Sequence, residues 1–265
     1  MKNALQIYGQ LRTFEKCLPS LLKFIKYEEY DFDVFLLIDP SQNLEIKMNS
    51  NPNFSQNNIE KLKKILGPDR IKVLKLTEQM TDKNKKTEEK IYNIYLKTYD
   101  IFKKKFYRNK IIKNNFTSRL FYRKYLLNEF RKEYEEKNNI CYDYVIRTRF
   151  DIGKYDMEVF DYEENNIPVL CSDILTIAKP DFVNCESNIA LSYPYSPMVF
   201  FDKNLNVIKE KINKYIDWRG DKFWDDIWLF MPELNQRLFL LENNFSFNEA
   251  WWFENRNFNF KIIRK

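Results

Sequence analysis

The chain has 265 residues, of which 44% are hydrophobic and 17% aromatic, which excludes a disordered polymer and suffices for one large α/β domain or two small ones. Histidine is absent, so Ser-His-Asp, Cys-His and histidine-held metal chemistry are excluded. The net charge of +6 and pI near 8.9 are spread along the chain, favouring anionic ligands without calling for nucleic acid.

Ala4 to Tyr8 reads as a short apolar strand ending at Gly9. Thr13 then stands where a helix cap belongs, ahead of an apolar face made by Cys17, Leu18, Leu21, Leu22 and Ile25. Gly9, Gln10 and Arg12 therefore fall in a strand-to-helix turn, the usual place for a nucleotide to meet a sheet, although a plain βα turn has the same pattern. The four glycines, Gly9, Gly67, Gly153 and Gly220, can compose neither a dinucleotide-binding turn nor a P-loop. Any phosphate must be held by side chains, a cation or a helix N-terminus.

Asp33 to Asp39 is a second buried strand stopped by Pro40, and Asp39 at its end suits a base or ribose hydroxyl or is simply a loop residue. Residues 41–57 read as a surface loop, Ile59 to Leu66 as a helix closed by Gly67-Pro68, and Ile71 to Leu76 as a third strand. Thr77 to Lys90 is polar and charged, a loop expected to be mobile. Helices are expected from Ile91 to about Phe106 and from Thr117 to Glu136, the second with Leu120, Leu127, Phe130 and Tyr134 on one face. The basic run between them reads as a solvated surface.

The central stretch is Cys141 to Gly153, C-Y-D-Y-V-I-R-T-R-F-D-I-G. Its aromatic and β-branched first half predicts a buried strand, broken at Gly153. Arg147, Arg149 and Asp151 alternate, so an extended chain would set all three on one face at the strand's carboxyl end. Two guanidinium forks suit a diphosphate, and a carboxylate suits a divalent cation or a sugar hydroxyl. A solvated edge strand with local ion pairs has the same spacing.

Beyond it, Pro168 to Asp173 and Met198 to Phe201 read as strands and Leu205 to Ile216 as a helix. Tyr193 and Tyr195 sit in a rigid Y-P-Y-S-P loop suited to wall an acceptor. Trp218 to Glu233, W-R-G-D-K-F-W-D-D-I-W-L-F-M-P-E, joins Trp224 and Trp228 to Asp225 and Asp226. Rings cover the apolar face of a pyranose and carboxylates bind its hydroxyls, so a sugar site is expected; the alternative is a helix cap with tryptophans in the core. Glu249 stands near Trp251 and Trp252, ahead of a closing strand from Phe258 to Ile263.

The segments Y-D-Y-V-I-R-T-R-F-D-I and strand-G-Q-L-R-T-F resemble those of a group of GT-A-fold glycosyltransferases from capsule and surface-glycan clusters and large DNA viruses. In that group the first segment takes the place of the D-x-D motif; here Arg149 replaces its first Asp and Asp151 is kept. The D-D-x-aromatic-x-x-x-P block of the group is matched by Asp225, Asp226 and Pro232, with Phe230 where a Gly is usual. The resemblance, running from residue 8 to about 264, implies a single GT-A-like, Rossmann-like domain. Its mostly parallel sheet would be flanked by helices, with a nucleotide-sugar-binding half (1–153) and a mixed acceptor-binding half (154–265).

The implied reaction moves a sugar from a UDP- or GDP-linked donor to a hydroxyl of a glycan acceptor. Gly9, Gln10, Arg12, Asp39, Arg147, Arg149 and Asp151 would bind the donor. Tyr193, Tyr195, Trp224, Trp228 and Trp251 would bind the acceptor, and Asp225, Asp226 or Glu249 would serve catalysis. Mn²⁺ or Mg²⁺ on Asp151 is the implied cofactor, with strict dependence on it weakened by Arg149. A non-catalytic carbohydrate-binding relic is the alternative, and a basic nucleic-acid-binding module a second. Cys17, Cys141, Cys171 and Cys185 lack C-x-x-C spacing and read as buried free thiols of a reducing compartment. No apolar run reaches the ~18 residues of a membrane span, and the N-terminus reads as a strand and not a secretory signal. A cytoplasmic protein is expected.

Overall fold

A computed structural model describes residues 1–11, 13–39, 56–77, 81–90, 93, 116–153, 160–162, 168–171, 174–192, 236, 239–240, 243–245, 248–249 and 261–262. The chain forms two compact units. One comprises Met1–Met80, Leu126–Val183 and Phe247–Lys265, the other Thr81–Tyr125 and Asn184–Ser246.

The first unit is built on a mixed, mostly parallel seven-stranded sheet ordered β3-β2-β1-β4-β7-β6-β8. Its strands are β1 (Lys2–Gly9), β2 (Asp31–Ile38), β3 (Ile71–Leu76), β4 (Tyr144–Arg149), β6 (Val169–Cys171), β7 (Leu175–Ala178) and β8 (Asn248–Glu249). β1, β2, β3 and β4 run parallel, and β7 is antiparallel to both β4 and β6. A separate ribbon pairs β5 (Ile152–Gly153) with β9 (Lys261–Ile262).

Both faces of the central strands are covered, which is why Val34 to Ile38 of β2 and Tyr144 to Ile146 of β4 are continuous apolar runs and β1 is largely apolar. One face carries Leu5, Ile7, Val34, Leu36, Ile38, Ile146 and Ile177. Onto it pack Phe14, Leu18 and Leu21 of α1 (Phe14–Phe24) and Ile59, Leu62 and Leu66 of α2 (Gln56–Leu66). Each such fully buried side chain contributes about 1.5–3 kcal/mol. The opposite face is more polar. Gln6 on β1 lies in register with Arg147 on β4, which lies in register with Thr176 on β7. The C-terminal part of α4 (Phe116–Asn138) covers this row, with Gln6 Nε2 donating to Leu127 O at 3.4 Å and Tyr134 set edge-on to Phe35.

The structure departs from the sequence reading at several places. The strand that reaches Arg149 ends there, because Phe150 and Asp151 form a turn, and Gly153 lies inside β5 instead of breaking β4. Residues 82–90, expected as a mobile loop, are helical (α3). Thr81 caps them, its hydroxyl accepting from the Asn84 amide at 3.3 Å, and with no apolar face the helix leaves no periodic signal. Thr13, by contrast, stands at the α1 N-cap without a side-chain capping bond. On α4 the expected apolar stripe is only partly right: Lys124, Asn128 and Arg131 are buried while Phe130 and Tyr134 are half-buried. β7 and α5 (Pro180–Ser192) are elements that the sequence reading does not contain, and β6 begins at Val169, one residue after the start expected at Pro168. Of the cysteines, Cys17 is buried, Cys185 half-buried and Cys141 exposed, all three free, so the expectation of buried thiols fails at Cys141. The helix expected over 91–106, the strand over 198–201 and the helix over 205–216 lie largely or wholly outside the described residues.

Candidate functional site

Strands β1, β2 and β3 step outward in one direction from β1, while β4 lies on its other side. The order therefore reverses between β1 and β4, and ligands of open α/β sheets gather outside the carboxyl ends of the strands at such a point. Gly9 ends β1, Asp39 follows β2, Arg149 ends β4 and Asp151 lies in the next turn. Register ties these ends together, pairing Gly9 with Ile38 and Tyr8 with Arg149. Gly9, Gln10, Asp39, Arg149 and Asp151 thus share one edge of the sheet.

Gly9, Asp39, Arg149 and Asp151 are held by local bonds. Gly9 has φ +112, a conformation that side chains other than glycine's rarely adopt, and its carbonyl accepts from the Asp39 amide at 2.9 Å. The Asp39 carboxylate, 5% exposed, accepts from Thr77 Oγ1 at 3.3 Å. Arg149 donates from Nε to Asp151 Oδ1 at 2.9 Å and from Nη2 to Asp151 Oδ2 at 2.7 Å. The pair is a two-pronged fork, with 14% of the Arg149 side chain and 7% of the Asp151 side chain exposed. Cys17 of α1 lies close enough to feel Asp151. Burial pushes the Cys17 thiol up most, the Thr13 hydroxyl opposes that, and the Asp151 charge adds to it.

Arg147 does not join this edge. It is 1% exposed and lies one pleat below, donating from Nε to Gln6 Oε1 at 2.8 Å and from Nη2 to Asn128 Oδ1 at 3.3 Å. The same Asn128 oxygen accepts from Arg131 Nη2 at 3.2 Å, and Arg131 Nη1 reaches both Glu135 oxygens at 2.6 Å. Burial lowers the Arg131 pKa and raises that of Glu135, each opposed by the other's charge. The expectation that Arg147, Arg149 and Asp151 present one charged face is therefore corrected. Arg147 belongs to a buried polar layer tying β1 and β4 to α4, and Arg149 and Asp151 turn toward each other.

Thr77, Gln6 and Asn128 were not read as part of this region. For Gln6 the signal is a lone amide in an apolar strand; for Thr77 and Asn128 the sequence carries none. Arg12, Tyr193, Tyr195, Trp224, Asp225, Asp226, Trp228 and Trp251 lie outside the described residues. Glu249 is on β8, in register with Leu170 of β6. Three strand spacings separate β8 from β4, or about 14 Å.

The donor set does not form a ready seat for a divalent cation. Both Asp151 oxygens are taken by Arg149, and no three His, Cys, Asp or Glu side chains gather for a metal among the described residues. What the arrangement offers chemically is a largely shielded, rigidly oriented guanidinium on one side of a glycine turn, with a buried carboxylate on the other side, two strands from the guanidinium. No family model and no curated protein matches the chain. Among the described residues no helix is long and apolar enough to cross a membrane.

Proposed function

We propose that this protein is a glycosyltransferase of the GT-A type, moving a sugar from a UDP- or GDP-linked donor to a hydroxyl of a glycan acceptor. The observation that carries the reading is the gathering of Gly9, Gln10, Asp39, Arg149 and Asp151 at the β1/β4 switch point. Gly9, Gln10, Arg149 and Asp151 come from the two segments that resemble the glycosyltransferases, and Asp39 joins them from the end of β2. Asp39 takes the nucleoside, and Arg149 stabilises the charge that develops on the departing diphosphate. An inverting transfer also needs a carboxylate that takes the acceptor's proton. Asp225 or Asp226 has that role in this reading, with Glu249 as the third candidate. Trp224, Trp228, Trp251, Tyr193 and Tyr195 hold the acceptor and exclude water from the donor.

The test is a thermal-shift screen of UDP, GDP and their sugar conjugates, since a ligand of the folded state raises its melting temperature. Conjugates that stabilise the protein go into a transfer assay with oligosaccharide acceptors. The expected result is stabilisation by one nucleotide family, followed by transfer. Binding of glycans without any nucleotide response would replace the enzyme by a carbohydrate-binding protein. In the transfer assay, Asp225→Asn or Asp226→Asn is expected to lower turnover about 10²-fold or more; full activity in both would remove that pair from catalysis.

A further inference from the structure

The divalent cation expected on Asp151 and the fork seen between Asp151 and Arg149 compete for the same two oxygens. A cation needs at least one of them at coordination distance. Arg149 holds both, at 2.9 and 2.7 Å, in the planar two-bond geometry that makes guanidinium–carboxylate pairs strong and directional. The pair is largely shielded, with 14% and 7% of the two side chains exposed, so water competes weakly for these bonds. A divalent ion sharing one of these oxygens would sit beside the guanidinium's positive charge, which is repulsive at such range, and one taking the carboxylate for itself would have to break the fork.

From this we infer that Arg149, oriented by Asp151, is itself the cationic group against which the donor diphosphate docks, in place of a divalent ion. Asp151 is then a positioning residue: it fixes the plane of the guanidinium at the carboxyl edge, next to the Gly9 turn. The register supports this placement, because Arg149 lies beside Tyr8, the residue before Gly9. A fixed guanidinium needs no reorganisation when charge develops on the leaving group; with its Nε and Nη2 turned to Asp151, it meets the diphosphate as an oriented charge. The inference rests on the nucleotide-sugar reading above and adds to it how the diphosphate charge is met.

Calorimetry of the full-length protein with UDP and GDP, in EDTA and again in Mn²⁺, tests it. The nucleotide that binds is expected to have the same Kd in both, within about twofold. Arg149→Met keeps the side chain's bulk, lacks the charge and frees both Asp151 oxygens. It is expected to bind at least tenfold more weakly in EDTA and to regain affinity when Mn²⁺ is added, a dependence the native chain lacks. Should Arg149→Met fail to fold by circular dichroism, Arg149→Lys keeps a charge but not the fork and is expected to lose affinity in the same direction. Native binding that needs Mn²⁺ would overturn this inference and leave the nucleotide-sugar reading standing. Undiminished binding in a folded Arg149 variant would do the same. Binding of neither nucleotide under either condition would overturn both.

Discussion

Replacing Arg147 by alanine removes a side chain that is 1% exposed and donates to Gln6 Oε1 at 2.8 Å and Asn128 Oδ1 at 3.3 Å. Asn128 keeps Arg131 as a donor, so its oxygen is not orphaned. Gln6 is 0% exposed and loses the donor to its oxygen, a penalty of about 1–3 kcal/mol. The buried methylene stem adds about 0.8 kcal/mol per CH₂, and release of a buried charge to no charge offsets part of the sum. A net loss of about 2–4 kcal/mol is expected, read from urea unfolding at constant m-value. Arg147→Met keeps the stem and is expected to lose about 1–2 kcal/mol. Combining it with Gln6→Leu removes the orphan, so the double variant is expected to be more stable than Arg147→Met alone. An Arg147→Ala protein within about 0.5 kcal/mol of native stability, but with nucleotide binding weakened tenfold, would show that Arg147 reaches the ligand and that the buried-layer account is wrong.

Two further outcomes follow from the amino-terminal end of the sheet and from α4. Tyr142 donates its hydroxyl to Asp33 Oδ2 at 2.8 Å, where Lys2 and Lys72 approach the same carboxylate at 3.3 and 3.4 Å. Burial, followed by the Asp33 bond and charge, holds the Tyr142 phenol far above its ordinary range, so Tyr142→Phe is expected to lose about 1.5–3 kcal/mol in the same assay. A loss too small to measure would mean that the two lysines alone satisfy Asp33. Burial raises the Glu135 carboxyl above its ordinary 4.5 despite Arg131. The folded chain therefore holds this proton more tightly than the unfolded chain. The stabilising contribution is complete below pH 4.5 and is lost as pH rises through the folded value. Native stability relative to Glu135→Gln is expected to fall as pH rises above 4.5; a difference that is flat or rising would refute the sign.

The frame of the first unit is legible in its amino-acid order. Val34 to Ile38 and Tyr144 to Ile146 are apolar runs between turn signals, and such runs become central strands because only a sheet covered on both faces buries them. The third strand, Ile71 to Leu76, was legible to the residue, as was the Gly67-Pro68 stop before it. The glycine turn and the acidic ends of the strands were legible as one-dimensional positions. That Gly9, Asp39, Arg149 and Asp151 meet at one edge depends on β4 pairing beside β1 and not beside β3. Strand order is a long-range choice that local pattern does not encode. The fate of the three charged groups was likewise decided only in three dimensions. Alternation predicts that Arg147 and Arg149 share a face, and they do. But α4 covers one of them, and the chain turns after Arg149 and not after Gly153, which swings Asp151 back onto the guanidinium. The physical reason is that periodicity reports which way a side chain leaves the backbone, while what covers it, and which charge it finds, is set by elements far away in the chain.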